Sequence, residues 1–509
     1  MAFIHRVITF GLIPIIALIA LQLYSPETFH NARAIFQPYI SSSRIRTFDS
    51  LPRSETRLFI SAVTHWSHFE KIAKVAVALA ELGYPITLIT GRIFKNEASS
   101  LHPNITFYPL LGQDDKLTEE QYATMASLPP EEVALYRSRL VLVDGMSTTH
   151  DTLQQVFREF RDQHGNDRPL LSFYDVPVTG HLPILLGAPG IKPDVSFAIG
   201  CHPILLDSND TYPFHIDKRP ETGPDARAIH WKAYQDRHQD YFTRELDLAW
   251  WAKLREMGAI QDSYGSMLHA ASALPDHLMM MGIPEFEWPR TDLRSNIHYF
   301  GALKSSAAKT REENLPSLWD DVAKAKREGK KIVAVSQGTV ETNFDELLIP
   351  TLEALKDRDD VLVVATTVVV EPEDTLGFTV RGNVRATRFV PYELLLPLTD
   401  VLVSNGGFGA VMTAMSNGIP VVVAGSGQDK DINKNLVQYT DVGVKLEGKA
   451  PGVDKIREGV GKVLDDPMYK KNMGEMRRRL AAYDVGRVFD GVIREAVRGW
   501  AAGKGEDVL

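Results

Sequence analysis

Between residues 401 and 425 the chain reads VLVSNGGFGAVMTAMSNGIPVVVAG: an apolar run, three closely spaced glycines, a helix-like segment, then Gly418, Pro420 and a second apolar run. A strand that ends in a glycine turn and opens a helix places backbone N–H groups and the positive end of the helix dipole at one edge of a sheet. Gly406, Gly407 and Gly409 carry no Cβ, so a diphosphate can approach the main chain there. The same glycines serve equally to let a helix pack tightly. The stretch is neither a Walker A loop, lacking the Gly-Lys-Ser/Thr ending, nor a complete GxGxxG fingerprint. These residues alone leave phosphate binding and helix packing both open.

Such a turn needs rigid elements behind it, and the flanking patterns supply them. RLFISAV at 57–63 is a strand candidate; Phe69, Ile72, Ala73, Ala76, Leu79 and Ala80 then recur at helical spacing, Gly83 ends the helix, and PITLIT follows as a second strand. That is a right-handed βαβ unit. After a polar interval the alternation returns: KIVAVS at 331–336, FDELLIPTLEAL at 344–355 as an amphipathic helix, VLVVATTVVV as a strand, DVLVS, the glycine turn with its helix, and PVVVA. Two doubly wound, Rossmann-like α/β domains facing a cleft are therefore expected, at 57–300 and 326–484, joined by a linker at 301–325 and followed by a helix at 485–500. Phe489, Val492, Ile493, Ala496 and Val497 give that last helix one apolar face. The segment 202–262, with His215, Trp231, Tyr234, Tyr241, Trp250 and Trp251 among many charges, is either core or the lining of an acceptor pocket; LMMMG at 278–282 is core material.

Composition narrows the partners. A chain of 509 residues, 44% apolar and 24% charged, has core material for two or three domains. Its net charge of -9 argues against a general nucleic-acid binder, which needs a basic surface. The single cysteine, Cys201, permits no intramolecular disulfide and no cysteine-based metal site, while Asn104 and Asn209 head N-glycosylation sequons. Residues 7–24, VITFGLIPIIALIALQLY, carry no charge, and at about 1.5 Å per residue they just cross a hydrocarbon core of about 30 Å. We read residues 1–26 as a single-pass membrane anchor, placed in the endoplasmic reticulum, and the Pro- and Ser-containing stretch 27–56 as a stalk. A cleaved signal peptide is the alternative, against which stands the lack of a small-x-small pair after the apolar run. Arg6 before it and Arg33, Arg44 and Arg46 after it leave the orientation open.

The stretch RFVPYELLLPLTDVLVSNGGFGAVMTAMSNGIPVVVAGSGQDKDINKNLVQYTDVGVKL resembles, in spacing and composition, the donor-binding signature of GT-B fold UDP-glycosyltransferases, a family 1-like class that glycosylates small lipophilic molecules. Phe389, followed by Val390, falls where that family has a tryptophan stacking on uracil, and Pro391-Tyr392 falls on its Pro-Gln pair. Asn405 falls on the His of its His-x-Gly motif, and Asp429-Lys430 on the Asp-Gln pair that contacts sugar hydroxyls, with Asn433 in step. VSQGTVETN resembles the first loop of the second domain. The resemblance thus implies a donor site of Ser336, Gly338, Thr339, Phe389, Val390, Asn405, Gly406, Gly407, Phe408, Gly409, Asp429 and Lys430. Three positions depart from the pattern. Asn405 can donate a hydrogen bond but brings no charge, Thr413 replaces a Glu that commonly holds the ribose, and Lys430 puts an ammonium beside the sugar or diphosphate.

The first half is similar to the same family. In VTHWSHFEKIAKVAVALAELGYPITLITG, His68 stands fifteen residues before Gly83 and resembles the His of the family's Gly-His segment, with Ser67 in place of Gly. This implies His68 as the base that takes a proton from an acceptor hydroxyl, with His65 as its rival, and Asp175 in LLSFYDVPVTGHLP as the acid that orients the ring. LPDHLMMMGIPEFEWPRTDLRSNIHYFGAL resembles the exit from the first domain, with a hinge near 301, and the final helix is expected to cross back to that domain. Asp-Lys-Asp at 429–431 has the form of a metal-binding Asp-x-Asp, but the GT-B register already explains it, so no metal ion and no cofactor beyond the UDP-sugar co-substrate are expected.

What the resemblance implies is inverting transfer of a sugar, from UDP-glucose, to a hydroxyl of a lipophilic acceptor such as a sterol, terpenoid, polyketide or glycolipid of secondary metabolism. A glycosyltransferase of lipid-linked intermediates is the alternative that shares the fold and makes direct use of an anchor. An inactive nucleotide-sugar-binding module is suggested by Asn405 and Thr413, and opposed by the retention of both His68 and Asp175.

Overall fold

The computed structural model describes residues 51–111, 118–214, 216–262, 265–303, 318–338, 343–368, 370–427 and 429–506. The anchor expected at 1–26 and residues 27–50 of the expected stalk lie outside them; among the described residues no helix is long and apolar enough to cross a membrane. Residues Pro52–Trp500 form one compact unit.

Two seven-stranded sheets organise the larger unit. The first contains β1 (Leu58–Ser61), β2 (Ile86–Thr90), β3 (Ile105–Pro109), β4 (Leu171–Asp175), β5 (Val195–Gly200), β6 (His277–Met280) and β7 (Ile297–Tyr299), all parallel, in the order 3-2-1-4-5-6-7. The second contains β8 (Lys331–Ser336), β9 (Val361–Thr366), β10 (Val380–Arg381), β11 (Val384–Thr387), β12 (Val401–Ser404), β13 (Val421–Val423) and β14 (Gly443–Lys445), in the order 10-11-9-8-12-13-14. Only the edge strand β10 runs antiparallel to its neighbour. In β1, β2, β4, β5, β9 and β12 every residue is buried, which is why they appear in the sequence as unbroken apolar runs rather than alternating ones. In both sheets the order reverses direction beside the first strand formed, β1 or β8, and such a switch point leaves a crevice at the carboxyl ends of the strands.

The helices that bear on the site are α1 (Trp66–Glu81), α2 (Trp319–Arg327), α3 (Leu348–Leu355), α4 (Phe408–Asn417), α5 (Lys430–Tyr439) and α6 (Val485–Glu506). The last of these reaches the first sheet: Phe489 packs 6.3 Å from Phe173 and 5.2 Å from Phe300, ring centre to ring centre. Asp490 accepts two hydrogen bonds from Arg53, at 2.7 and 2.9 Å, and one from the Tyr84 hydroxyl at 2.7 Å.

Four boundaries differ from the expectation. The end of the stretch expected as a stalk is fastened to the body, since Arg53–Glu55 forms a 3-10 turn held to α6 by the Arg53–Asp490 pair. The expected linker 301–325 runs into α2, whose Val322 and Ala325 are buried at helical spacing and whose Asp320 and Asp321 favour the helix start. The helix expected over 344–355 begins only at Leu348, because a start at 344 would put Pro350 in the interior, where it removes a backbone hydrogen bond. The strand expected over 361–370 stops at Thr366, and Val368 turns the chain with a left-handed φ of 62°.

Candidate active site

His68 lies in the first turn of α1, directly after β1, and Asp175 is the last residue of β4, the parallel neighbour of β1. The topology therefore delivers both to the same carboxyl edge. The His68 ring Nδ1 is 2.9 Å from one Asp175 carboxylate oxygen and 3.1 Å from the other. An ionised carboxylate only accepts, so Nδ1 carries the hydrogen and Nε2 keeps a lone pair for a substrate proton. Asp175 is fully buried while the His68 side chain is 29% exposed, which suits an anchored acid and an accessible base. His65 takes a different partner, its Nδ1 lying 2.9 Å from the Ser67 hydroxyl, with its ring 6.2 Å from that of His68. Of the two histidines, the structure joins His68 to the acid.

Two neighbouring groups, Cys201 and His202, are held towards their neutral forms. Burial, aided by the Asp175 carboxylate and opposed by the Lys71 ammonium, pushes the Cys201 thiol up to about 12, so it stays protonated. Burial likewise lowers the pKa of His202, against the opposing pull of the Pro203 carbonyl and of the Asp429 and Asp175 carboxylates. His202 Nδ1 donates to the Pro203 carbonyl at 2.7 Å, and its buried Nε2 has no hydrogen-bond partner among the described residues. It stands just beyond β5, whose Ile199 is in register with Asp175.

The glycine turn follows β12, and the VSQG loop follows β8, with Ser404 and Ser336 in register. Asn405 ties the two loops together: its amide Nδ2 donates to the Gln337 carbonyl at 2.5 Å, and its Oδ1 accepts from Gly407 N–H at 3.4 Å. Gly406 has a φ of +81° and Gly425 one of +110°; a Cβ on Gly425 would lie 2.6 Å from the Asn405 carbonyl oxygen. Asn433 Nδ2 holds the Gly406 carbonyl at 2.8 Å. Beyond this buttressed turn α4 begins, and its Phe408 N–H donates to an Asp429 carboxylate oxygen at 3.3 Å. The carboxylate matched with sugar hydroxyls thus rests on the helix start.

The remaining positions are distributed around this centre. Phe389, next to buried Val390 at the end of β11, leaves 69% of its surface open, so a ring can stack on it. Lys430 is buried, and Thr413 spends its hydroxyl on the Gly409 carbonyl at 2.8 Å within α4. Ser336 and Gly338 lie on the β8 side of the turn; Thr339 and His215 lie outside the described residues. The aromatic segment 202–262 divides: Trp250 is fully buried in the core of the first domain, whereas Trp231 and Tyr241 are exposed. A small, partly enclosed cleft lies between that segment and α5, lined by Leu206, Tyr212, Phe214, Trp288, Arg290 and Ile432 among others.

The two domains meet across the site. Asp217 accepts from Asn435 at 2.7 Å and pairs with Lys445 at 3.3 Å, and Glu285 pairs with Arg479 at 3.0 Å. Nearer the centre, Lys71 on α1 reaches the glycine turn: a Cβ on Gly409 would lie 3.1 Å from the Lys71 Cε. Sequence reasoning missed Lys71 and His202. Lys71 had a signal, three residues after His68 on a helix whose neighbouring positions Phe69, Ile72 and Ala73 are apolar.

Residues 350–485 match the family model described as erythromycin biosynthesis protein CIII-like, C-terminal domain. The chain is 31% identical over 443 residues to UDP-glycosyltransferase 2 of Phaeomoniella chlamydospora, covering 85% of this chain and 93% of that one. It is 29% identical over 441 residues to UDP-glucosyltransferase avaP of Aspergillus versicolor, covering 85% and 95% respectively. Among solved structures, the glycotransferase of kitacinnamycin superposes with a TM-score of 0.60 at 19% identity, over 87% of this chain and 99% of that one, a likeness of fold.

Proposed function

The chain belongs to the GT-B UDP-glycosyltransferase family, and from that premise we propose that it moves glucose from UDP-glucose, with inversion and without a metal ion, to a hydroxyl of a lipophilic small molecule. The observation that carries this reading is the His68–Asp175 pair, set at the edge of the first sheet and bonded through Nδ1, which leaves the lone pair on Nε2. In the reaction the acceptor oxygen attacks the anomeric carbon from the face opposite UDP while its proton passes to His68 Nε2. The bond from that carbon to the β-phosphate oxygen breaks, and its electron pair leaves with UDP. Asp175 stabilises the imidazolium that forms, and the N–H groups at the start of α4 stabilise the leaving diphosphate. Asp429 leaves the helix start to meet the sugar hydroxyls, Lys430 lies beside it, Ser336, Gly338 and Thr339 complete the cradle, and Phe389 stacks on uracil.

The exposed aromatics Trp231 and Tyr241 of the 202–262 segment support a lipophilic acceptor of the sterol, terpenoid or polyketide kind. The uncharged run 7–24 supports an anchor that keeps such acceptors near the site. The intact His68–Asp175 bond favours an active enzyme over a donor-binding module. The test is to incubate the full chain with UDP-glucose and a panel of hydroxylated sterols, terpenoids and polyketides, identify glucosides by mass and assign the anomer by NMR. A β-linked product that is lost in His68→Ala is expected. An α-linked product would reject inversion, and absence of both glucoside and UDP release would reject the activity.

A further inference from the structure

We propose that Lys71, a residue of the first domain, is a ligand of the donor's diphosphate, so that the phosphate cradle is built from both domains. The proposal rests on the nucleotide-sugar reading and adds a residue that reading does not contain. Lys71 follows His68 by three positions, so the base and the ammonium lie on one face of α1. Its chain crosses the cleft to the second residue of α4, where the position of a Gly409 Cβ is 3.1 Å from Lys71 Cε and 3.4 Å from Nζ. A Cβ at 409 would sit tightly against the lysine, which would have to shift to admit it. The third glycine of the turn therefore admits a cation from the opposite domain.

Charge then says what that cation awaits. Lys71 is half-buried; its ammonium donates to the Ser67 carbonyl at 2.5 Å and makes no ion pair among the described residues. An ammonium beside the positive end of a ten-residue helix is repelled unless an anion joins them. An anion is already present nearby, since the Asp429 carboxylate accepts from Phe408 N–H at 3.3 Å. A diphosphate entering this place satisfies the helix start and Lys71 together, and releases Asp429 towards the sugar. Lys434, by contrast, is already paired with Asp431 at 2.8 Å. As the bond to the anomeric carbon breaks, negative charge grows on the β-phosphate, and Lys71 stabilises it there.

The experiment is calorimetric titration of the full chain with UDP and with uridine, at low and high salt, for wild type, Lys71→Met and Lys71→Arg. Methionine matches lysine in helix propensity, so α1 persists in the first variant. Loss of one charge-assisted contact is expected to weaken UDP about ten- to a hundredfold and to flatten its salt dependence, with uridine unchanged and Lys71→Arg close to wild type. Unchanged UDP affinity in Lys71→Met, or an equal loss for uridine, overturns the assignment while leaving the nucleotide-sugar reading intact. A wild type that binds neither ligand overturns that reading, and the assignment with it.

Discussion

Replacing Asp175 by Asn tests whether His68 works as an oriented base. Asparagine keeps the shape of the buried side chain and still accepts through one oxygen, but it removes the charge that meets the imidazolium. In the structure the carboxylate is fully buried with both oxygens within 3.1 Å of Nδ1. Two unit charges about 4 Å apart attract by about 4 kcal/mol at an effective dielectric of about 20. Solvent at the open side of His68 screens part of this, leaving about 3 kcal/mol, or about a hundredfold in rate. The assay is the initial rate of UDP release from UDP-glucose with water or an added acceptor, alongside UDP affinity and the melting temperature. We expect kcat/KM to fall about a hundredfold with UDP affinity unchanged, and the double variant with His68→Ala to be no slower than His68→Ala alone. Losses that multiply in the double variant, or a rate within about threefold of wild type, would refute the partnership.

Two further outcomes are expected. Phe389→Ala should weaken UDP by about 1–3 kcal/mol without altering the melting temperature, since the ring is 69% exposed; titration with UDP that shows no change would remove the ring from the uracil site. His181, fully buried against Tyr174, has its pKa lowered by burial to about 3. The unfolded chain therefore takes up this proton first, so stability is present above about 6.5 and lost as pH falls towards 3, at up to about 1.4 kcal/mol per pH unit. His269, lowered to about 4, adds to the decline, whereas the Asp207 carboxyl, pushed up by burial to about 6, opposes it between about 4 and 6. Denaturant midpoints between pH 7 and 5 should fall less steeply in His181→Gln than in wild type; equal slopes would contradict the assignment.

The sheets were legible because buried parallel strands must be apolar on both faces, and runs such as KIVAVS and DVLVS leave few other readings. Asp175 was legible for the same reason, as a carboxylate directly after a run that had to be buried. Positions made by contact between elements were not. Lys71 sits in a helix where a lysine ordinarily points to water, and only the closeness of Gly409, over 300 residues away, gives it a role. His202 becomes informative only once β5 is placed beside β4.

The glycine turn shows why packing and phosphate binding could not be separated in advance. Gly406 and Gly425 are required by the backbone itself, through positive φ and the approach of the Asn405 carbonyl. They would be needed if no ligand ever bound. Gly409 has an ordinary helical place, and what crowds its Cβ is a charged side chain from the other domain. The first two glycines hold the turn at the start of α4, and the third lets Lys71 approach it. Packing between strand, turn and helix thus accounts for Gly406 and Gly425, while under the proposed function Gly409 is the position that serves the anion.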